Sequence, residues 1–232
     1  AATARAEAKW AEARQQSDFN AFAPHLEEVV ALTRDKANLL GQALGLAPYD
    51  ALIDEFSPGL TCEEIDQIFT ALGRRLPGLI QKAIAAQSAT PTLPIAGRYT
   101  TAKQRQLAFE VMKALGFPFD RGRLDESEHP FTGGVPGDIR VTTRFDVNDP
   151  FPGLMGILHE TGHAMYDFGL PEAWRGQPVG RDRGMAMQES QSLLLEMVIG
   201  RSRPFMRYLK PVMERIFGVS GPEWEVDNLY RH

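Results

Sequence analysis

Residues 149–169 read DPFPGLMGILHETGHAMYDFG and form the most clearly patterned helical segment of the chain. Asp149 and Pro150 are typical of a helix start, and Gly169 is typical of a helix end. At about 100° per residue, the large apolar side chains share one broad face of this helix and the polar side chains share the other. The apolar face carries Leu154, Ile157, Leu158, Ala164, Met165 and Phe168, and the polar face carries His159, Glu160, His163, Tyr166 and Asp167. The segment therefore predicts an amphipathic helix whose polar face carries two histidines and two carboxylates.

The polar face contains the motif HExxH at residues 159–163. His159 and His163 lie one helical turn apart, so a neutral nitrogen of each ring can reach the same metal ion at about 2.0–2.1 Å. Glu160 is rotated by about 100° from His159, which puts its carboxylate beside the metal rather than on it. A carboxylate in that place can act as general base for an attacking water. The motif therefore predicts a zinc site, because a chance occurrence on a polar helix face is rare.

The third protein ligand that a catalytic zinc site usually has must come from outside the motif. The remaining histidines, which do not continue the longer pattern HExxHxxGxxH, are His25, His129 and His232. A carboxylate of the next helix is the alternative, and Glu189 is favoured because the residues that follow it are polar. Glu196, on the same face of that helix, is either a support for one histidine or an ordinary solvated charge. Asp167 is a further candidate, as a ligand, as a partner of a ligand or as a surface acid.

Helical periodicity and capping residues dominate the rest of the chain. Helices are predicted over 1–16, 24–44, 61–72, 77–87, 101–115, 184–199, 204–217 and 223–231. Residues 117–149 lack a helical period, and Gly137–Phe145 alternates apolar and polar residues in the manner of a strand. Gly162, inside the HExxH helix, indicates either a close approach of another backbone or a neutral substitution. The predicted fold class is mainly α, with HExxH on a central helix and a small β element beside it.

The composition is typical of a soluble globular protein. Of the 232 residues, 43% are apolar and 24% are charged, and the formal net charge is −5. No apolar run approaches the roughly 20 residues of a membrane span, and the first residues lack the apolar segment of a signal peptide. A single cysteine, Cys62, excludes an internal disulfide and suits a reducing compartment. We therefore expect neither a membrane nor, given the acidic balance, a nucleic acid as partner.

Both ends of the chain are predicted as helices without a capping residue. Residues 1–16 have no N-cap before them, and the helix that follows the capping box Ser220–Glu223 ends without glycine or proline. We therefore expect residues 1–232 to form a single domain that is a fragment of a longer protein. Frayed natural ends are the alternative explanation.

Four short motifs follow one another in a characteristic order: His129–Phe131, Asp138–Thr142, the HExxH residues 159–163, and Glu189–Ser192. In this order they resemble the thermostable carboxypeptidase (Taq) family of zinc metallocarboxypeptidases, and the resemblance runs over nearly the whole chain. It implies a helical metallopeptidase architecture. It also implies a cytoplasmic enzyme, usually a homodimer, that removes single C-terminal amino acids from peptides with Zn²⁺ or, in some preparations, Co²⁺.

The resemblance also implies roles for individual residues. The implied metal ligands are His159, His163 and Glu189. Glu160 is implied as the catalytic base, and the family motifs point to His129 and Arg140 for binding the free carboxylate of a substrate. The alternative role of Arg140 is a salt bridge with Asp138 or another acid, and that of His129 is a hydrogen bond that anchors its loop. Tyr166, on the metal-facing side of the helix, is a candidate donor to the oxyanion, and its alternative role is packing or a structural hydrogen bond.

Two features depart from the family pattern. Gln188 stands where the family usually has histidine, so a contact around the metal or the substrate is expected to differ. Family chains are also much longer, and their arginine-bearing helix implicated in binding the substrate would lie beyond residue 232.

The segment Asp138–Arg144 is expected to offer a strand edge on which the peptide can add as a further strand.

Two rival functions remain open from the sequence. The same HExxH chemistry serves zinc endopeptidases and aminopeptidases. Alternatively, the chain is a non-catalytic, metal-binding helical fragment whose substrate cleft is incomplete.

Overall fold

The computed structural model describes residues 1–182 and 184–232. Their contacts group these residues into two compact units, Ala1–Gly78 and Leu79–His232. The single domain expected over residues 1–232 stays a prediction. The mainly α fold class is confirmed, with a small sheet in the second unit. None of the helices in the described part of the chain is both long and apolar enough to cross a membrane.

The regular elements of the first unit are all helices. They are α1 (Ala2–Gln16), α2 (Phe19–Leu44), α3 (Pro48–Phe56) and the first part of α4 (Cys62–Ser88). The carboxylate of Asp18 accepts a hydrogen bond from the backbone N–H of Ala21 at 3.1 Å and so caps α2. α1 and α3 both pack against α2, and the ion pair of Lys36 with Glu55 joins α2 to α3.

Helix α4 begins as predicted but continues past the expected break. Thr61 and Glu64 form the capping box, with each backbone N–H bonded to the side chain of the other residue. The predicted division into two helices at Pro77 is wrong, because one helix runs through that proline. A proline costs a helix one backbone hydrogen bond, but its φ angle is compatible with helical geometry.

The second unit contains a small sheet of strands β1 (Gly122–Glu126), β2 (Phe131–Val135) and β3 (Asp138–Thr143). β3 confirms the predicted strand. It lies in the centre of the sheet, parallel to β1 and antiparallel to β2. Both edges of β3 are therefore occupied, and the expectation that it would receive a substrate strand is wrong. β2 is an edge strand of this sheet in the described part of the chain.

Strands β1 and β2 were not predicted. Their sequences, GRLDE and FTGGV, are rich in glycine and charged residues, which have little intrinsic preference for strands. Pairing with β3 holds them in extended form. Gly134 is required at its place in β2, because its φ is +140° and an added Cβ would lie 2.2 Å from the carbonyl oxygen of Asp138.

Helix α6 (Phe151–Gly169) carries the HExxH motif and joins both hydrophobic clusters of the second unit. Leu154 and Leu158 pack into a cluster with residues of α8 (Arg203–Met213). Ile157 and Ala164 pack into a second cluster with β1, β3 and α5 (Thr101–Ala114). The predicted apolar face of α6 is thereby confirmed as its core face, and the helix is central to this unit.

The remaining helices end in wider turns than expected. α7 (Met185–Leu193) continues as π-helical turns over Leu194–Gly200, and α8 continues as π-helical turns over Glu214–Gly218. The last segment is divided into a 3₁₀ turn, Pro222–Trp224, and α9 (Val226–Arg231). The π-helical turns after α7 matter for the candidate site because they carry Glu196.

Candidate metal centre

Three side-chain atoms from α6 and α7 converge on one point. Nε2 of His159 lies 3.2 Å from Nε2 of His163, and Oε2 of Glu189 lies 3.5 and 3.8 Å from those two nitrogens. Within the described residues, no other group of three or more His, Cys, Asp or Glu side chains converges in this way. The structure thus brings together the three residues predicted as metal ligands, and we refer to them as the ligand group.

The separations within the ligand group fit a tetrahedral metal ion. Ligand bonds of about 2.0–2.1 Å in tetrahedral geometry put neighbouring donor atoms about 3.3–3.4 Å apart. The measured separations of 3.2, 3.5 and 3.8 Å lie around that value. Two imidazole nitrogens and one carboxylate oxygen are also a donor set that Zn²⁺ accepts in catalytic sites.

The close approach of α6 and α7 makes this convergence possible. A Cβ atom on Gly162 would lie 2.5 Å from the backbone oxygen of Gln191, which is closer than real Cβ contacts. The alternative that Gly162 marks a close backbone contact is therefore confirmed. Because Glu189 lies on the same helix as Gln191, the missing side chain at Gly162 allows the carboxylate to reach the two rings.

The Nδ1 atoms of both histidines have partners that orient the rings. Nδ1 of His159 lies 3.0 Å from Oε2 of Glu196, whose other oxygen accepts a hydrogen bond from Arg201 at 3.0 Å. Nδ1 of His163 lies 3.1 Å from Oε1 of Gln188. When each Nδ1–H donates to its partner, the lone pair is left on Nε2, the atom that faces the ligand group. Glu196 therefore supports a histidine from behind, as one of its predicted alternatives states.

Glu160 lies outside the ligand group and is held from the side by strand β2. Its side chain is buried, with 7% of its surface exposed. The hydroxyl of Thr132 lies 2.8 Å from Oε2 of Glu160 and 2.8 Å from the backbone oxygen of the same residue. Thr132 is not recognisable from the sequence, because the composition of its strand gives no strand signal and nothing in the HExxH motif indicates which residue contacts the glutamate.

Asp167 contacts the site through Gln188. The amide nitrogen of Gln188 donates a hydrogen bond to Oδ1 of Asp167 at 2.7 Å. Burial raises the pKa of the Asp167 carboxyl, and the negative charge of Asp182 acts in the same direction. Of the roles predicted for Asp167, the geometry favours that of a partner behind a histidine.

Glu189 is tied down within its own helix. The hydroxyl of Ser192 lies 2.9 Å from Oε2 of Glu189 and 2.9 Å from its backbone oxygen. Ser192 is fully buried, so this hydroxyl has little freedom to turn toward solvent. The arrangement limits the rotamers of the carboxylate that completes the ligand group.

The two residues predicted to bind the substrate lie elsewhere in the sheet region. Arg140 pairs with Asp138 at 2.8 Å, and this hydrogen bond raises the pKa of the guanidinium and lowers that of the carboxyl. The salt bridge given as its alternative role is thus confirmed. His129 is exposed, and its backbone oxygen accepts hydrogen bonds from Ser127 and Thr142. Substrate binding by Arg140 and His129 stays a prediction.

Arg140 also lies on the sheet face that points away from α6. Its neighbours Ile139 and Val141 are buried in the cluster that includes α6, and side chains alternate between the two faces of a strand. Thr132 pairs with Val141 and therefore shares the face turned toward Glu160. The structure consequently brings Thr132 to the site and leaves Arg140 on the opposite face.

A cleft of about 350 Å³ lies between β2 and the C-terminal part of α6. Its walls combine glycines of β2 with apolar and charged side chains, and they include Gly133, Gly134, Ile139, Asp167, Phe168 and Arg181. Tyr166 lies in a different hollow, beside Gly162 and Leu194, and its predicted oxyanion role stays a prediction.

Comparisons with known proteins agree on one family. A sequence model described as the carboxypeptidase Taq (M32) metallopeptidase family matches residues 1–232. Carboxypeptidase 1 of Bacillus subtilis is 37% identical over 212 residues, which cover 90% of this chain and 42% of that protein. Thermostable carboxypeptidase 1 of Thermus thermophilus is 37% identical over 229 residues, covering 95% of this chain and 45% of that protein.

Solved structures show the same similarity in three dimensions. Metallocarboxypeptidase 1 of Trypanosoma cruzi superimposes with a TM-score of 0.88 at 37% sequence identity, covering 99% of this chain and 46% of that chain. The M32 carboxypeptidase of Deinococcus radiodurans gives a TM-score of 0.83 at 31% identity, with the same coverage of both chains. The chain spans less than half the length of the relatives that it matches.

Proposed function

Because the chain belongs to the carboxypeptidase Taq (M32) family of metallopeptidases, we propose that it carries the catalytic centre of a metallocarboxypeptidase. The reaction is the removal of single amino acids from the C-terminus of peptides. One observation carries this proposal: Nε2 of His159, Nε2 of His163 and Oε2 of Glu189 converge within 3.8 Å of one another.

The ligand group fits a divalent ion, and Zn²⁺ is our proposal, with Co²⁺ as a substitute that prefers similar ligands. His159, His163 and Glu189 would hold the ion, and the donor separations support tetrahedral coordination. When bound, the ion would act as a Lewis acid that polarises the scissile carbonyl group. A fourth position is left for water or substrate, because the protein supplies three ligands.

Glu160 is proposed as the general base. It follows His159 directly on α6 but is not a member of the ligand group, so its carboxylate is available for proton transfer. Glu160 takes a proton from the attacking water and delivers it to the leaving amine. The hydrogen bond from Thr132 to Oε2 supports one carboxylate orientation and leaves Oε1 for the water.

The peptide is proposed to bind along the edge strand β2. Thr132 of this strand contacts Glu160, so a peptide that adds to its open edge would lie next to the base. Backbone hydrogen bonds to an edge strand bind peptides with little dependence on their sequence. The cleft of about 350 Å³ beside β2 offers room for side chains of the peptide. His129 is kept as a proposed contact of the free carboxylate. Arg140 is kept as well, although it would have to release Asp138 and reach the peptide from the sheet face opposite Glu160.

The family resemblance supports two further proposals. It favours a homodimer as the assembly of the full-length protein, and it favours a cytoplasmic location. Sedimentation of the full-length protein tests the first of these, and fractionation of the source cells tests the second.

The experiment that tests the function compares three peptides of one sequence. The first has both ends free, the second has an amidated C-terminus, and the third has a blocked N-terminus. With zinc present, we expect hydrolysis of the first and third only, and no hydrolysis of any peptide by Glu160→Gln, which should still bind zinc. Equal hydrolysis of the amidated peptide would show an endopeptidase, and loss of activity on the N-blocked peptide would show an aminopeptidase.

The second candidate function is a metal-binding fragment without activity. The chain spans less than half the length of its relatives. This favours the alternative, because the part of the relatives that the chain does not cover can supply part of their substrate cleft. Zinc binding without hydrolysis of any of the three peptides would support it. Activity of the full-length protein in the same assay would then show that catalysis requires the complete enzyme.

A further inference from the structure

Gln188 is a buried amide that uses both of its polar ends near the ligand group. Only 8% of its surface is exposed. Oε1 lies 3.1 Å from Nδ1 of His163, and Nε2 donates to Oδ1 of Asp167 at 2.7 Å. The side chain therefore connects a carboxylate on α6 to a histidine one turn earlier on the same helix.

The two ends of an amide have opposite hydrogen-bonding character but nearly the same shape. A glutamine alone could present either its oxygen or its NH₂ group to the ring of His163. Oδ1 of Asp167 accepts the hydrogen bond from Nε2 of Gln188, and a carboxyl oxygen without hydrogen can only accept. Asp167 therefore binds the NH₂ end of Gln188, and the carbonyl end is turned toward His163.

The orientation of the amide decides which ring nitrogen of His163 carries the hydrogen. With Oε1 facing it, Nδ1 must be protonated to donate, so Nε2 keeps its lone pair. With the amide reversed, Nδ1 would accept and the hydrogen would sit on Nε2, pointing at Nε2 of His159 and Oε2 of Glu189. A protonated Nε2 cannot bind a metal ion.

We propose that Asp167 and Gln188 are positioning residues that set the tautomer of His163 and thereby make its Nε2 a metal ligand. This inference rests on the proposed function, because it concerns the metal binding that we propose for the ligand group. Neither residue touches substrate or metal in this proposal. Both act through His163.

The arrangement behind the other histidine supports this interpretation. Nδ1 of His159 is bonded directly to the carboxylate of Glu196, which has no donor and needs no third residue to choose its orientation. Gln188 can present a donor or an acceptor, and it is the partner that has a carboxylate behind it. Asp167 thus fixes which end of the Gln188 amide faces His163.

The test measures zinc affinity by competition with a chromophoric chelator. Asp167→Leu and Gln188→Leu are each expected to bind zinc about 10- to 100-fold more weakly than the unaltered chain, the range found when outer partners of metal-binding histidines are lost. Asp182→Leu is the matched control. It removes a nearby negative charge that acts on Asp167 without removing a hydrogen bond to Gln188, and its affinity is expected to stay within about twofold of the unaltered chain.

A double variant distinguishes loss of the hydrogen-bond direction from misfolding of the protein. In Asp167→Asn with Gln188→Glu, the asparagine NH₂ can donate to the new carboxylate, which in turn accepts from Nδ1 of His163. The direction of the hydrogen bonds is preserved, so the zinc affinity is expected to return close to that of the unaltered chain. Failure of this exchange to restore binding in a folded protein would overturn the inference.

A second readout needs no metal. In the metal-free chain above about pH 8, where imidazole is neutral, the nitrogen NMR shifts of His163 are expected to show hydrogen on Nδ1. Asp167→Leu should yield a mixture of tautomers. A His163 ring that keeps hydrogen on Nδ1 in this variant, or an equal loss of zinc affinity in Asp182→Leu, would overturn the inference. If the unaltered chain binds no zinc, the proposed function fails while the NMR result still decides the tautomer.

Discussion

Gly162 of α6 and Ser192 of α7 are in backbone contact, since a Cβ atom on Gly162 would lie 2.5 Å from Cα of Ser192. The same Ser192 holds the carboxylate of Glu189 through its hydroxyl at 2.9 Å. The point at which the two helices touch is therefore one turn away from the residue that brings the third ligand. Helix spacing and ligand position are coupled in this unit.

Gly162→Ala is expected to force the two helices apart. Overpacking of this kind typically costs about 1–3 kcal/mol, which thermal unfolding would report as a lower Tm. Zinc affinity should fall as well, because Glu189 moves with α7. Gly169→Ala in the same helix is the matched control, since its added Cβ has nothing within 4 Å. An unchanged Tm and zinc affinity in Gly162→Ala would contradict the coupling.

Zinc is expected to stabilise the chain only while the ligand group is complete. A ligand at 100 times its Kd stabilises the folded state by about 2.7 kcal/mol, so zinc should raise the Tm of the unaltered chain measurably. In Glu189→Ala this rise should be strongly reduced, whereas Glu172→Ala, which removes an exposed acid outside the group, should keep it. An undiminished rise in Glu189→Ala would transfer the ligand role to Glu196 or Asp167.

Thr132→Val is expected to slow turnover without affecting the metal. The valine has the shape of threonine but cannot donate to Oε2 of Glu160. Hydrogen bonds to charged groups contribute about 1.5–3 kcal/mol, so kcat in the active enzyme should fall about 10- to 100-fold while KM and zinc affinity change little. Thr132→Ser keeps the hydroxyl and should restore most of kcat. If serine and valine behave alike, the hydroxyl has no part in orienting the base.

The ion pair of Glu110 with Arg215 is expected to make stability depend on pH. Arg215 donates to Glu110 at 3.0 Å and also contacts its second oxygen, and this hydrogen bonding lowers the pKa of the Glu110 carboxyl. Because the pKa of Glu110 is lower in the folded state than in the unfolded state, where it is about 4.3, the ion pair stabilises the protein at pH values above about 4.3. This stabilisation is lost as the pH falls through the lower pKa of the folded state.

Glu110→Gln should therefore have a lower Tm than the unaltered chain at neutral pH. The difference should shrink on acidification below about pH 4 and vanish once the carboxyl is protonated in both states. Glu7→Gln, at an exposed acid of α1, provides the control and should follow the unaltered chain throughout. A difference between Glu110→Gln and the unaltered chain that is independent of pH would show that the effect is one of packing.

Several features of the site were accessible from the sequence because they depend on short-range geometry. His159 and His163 share a helix face at any place in any fold, since four residues make about one turn. The apolar face of α6 was equally predictable from its period. Glu189 was favoured as the third residue from its polar neighbours, and the structure places its carboxylate with the two rings.

Other features were missed because they depend on partners far along the chain. Pro77 lies within a continuous helix, whereas local rules predict a break. β1 and β2 take their extended form from pairing with β3 and not from their own composition. Arg140 matches a motif of the family, but the alternation of β3 turns it to the sheet face away from the site.

The sequence by itself determined the chemistry that a single helical turn can present: two imidazoles and a glutamate on one face, and a core on the other. Tertiary structure decided which groups surround them. Thr132 reaches Glu160 across 28 residues of chain, and Gln188 reaches His163 across 25. Contacts over such separations depend on how helices and strands pack, and packing is a property of the folded chain rather than of any local pattern.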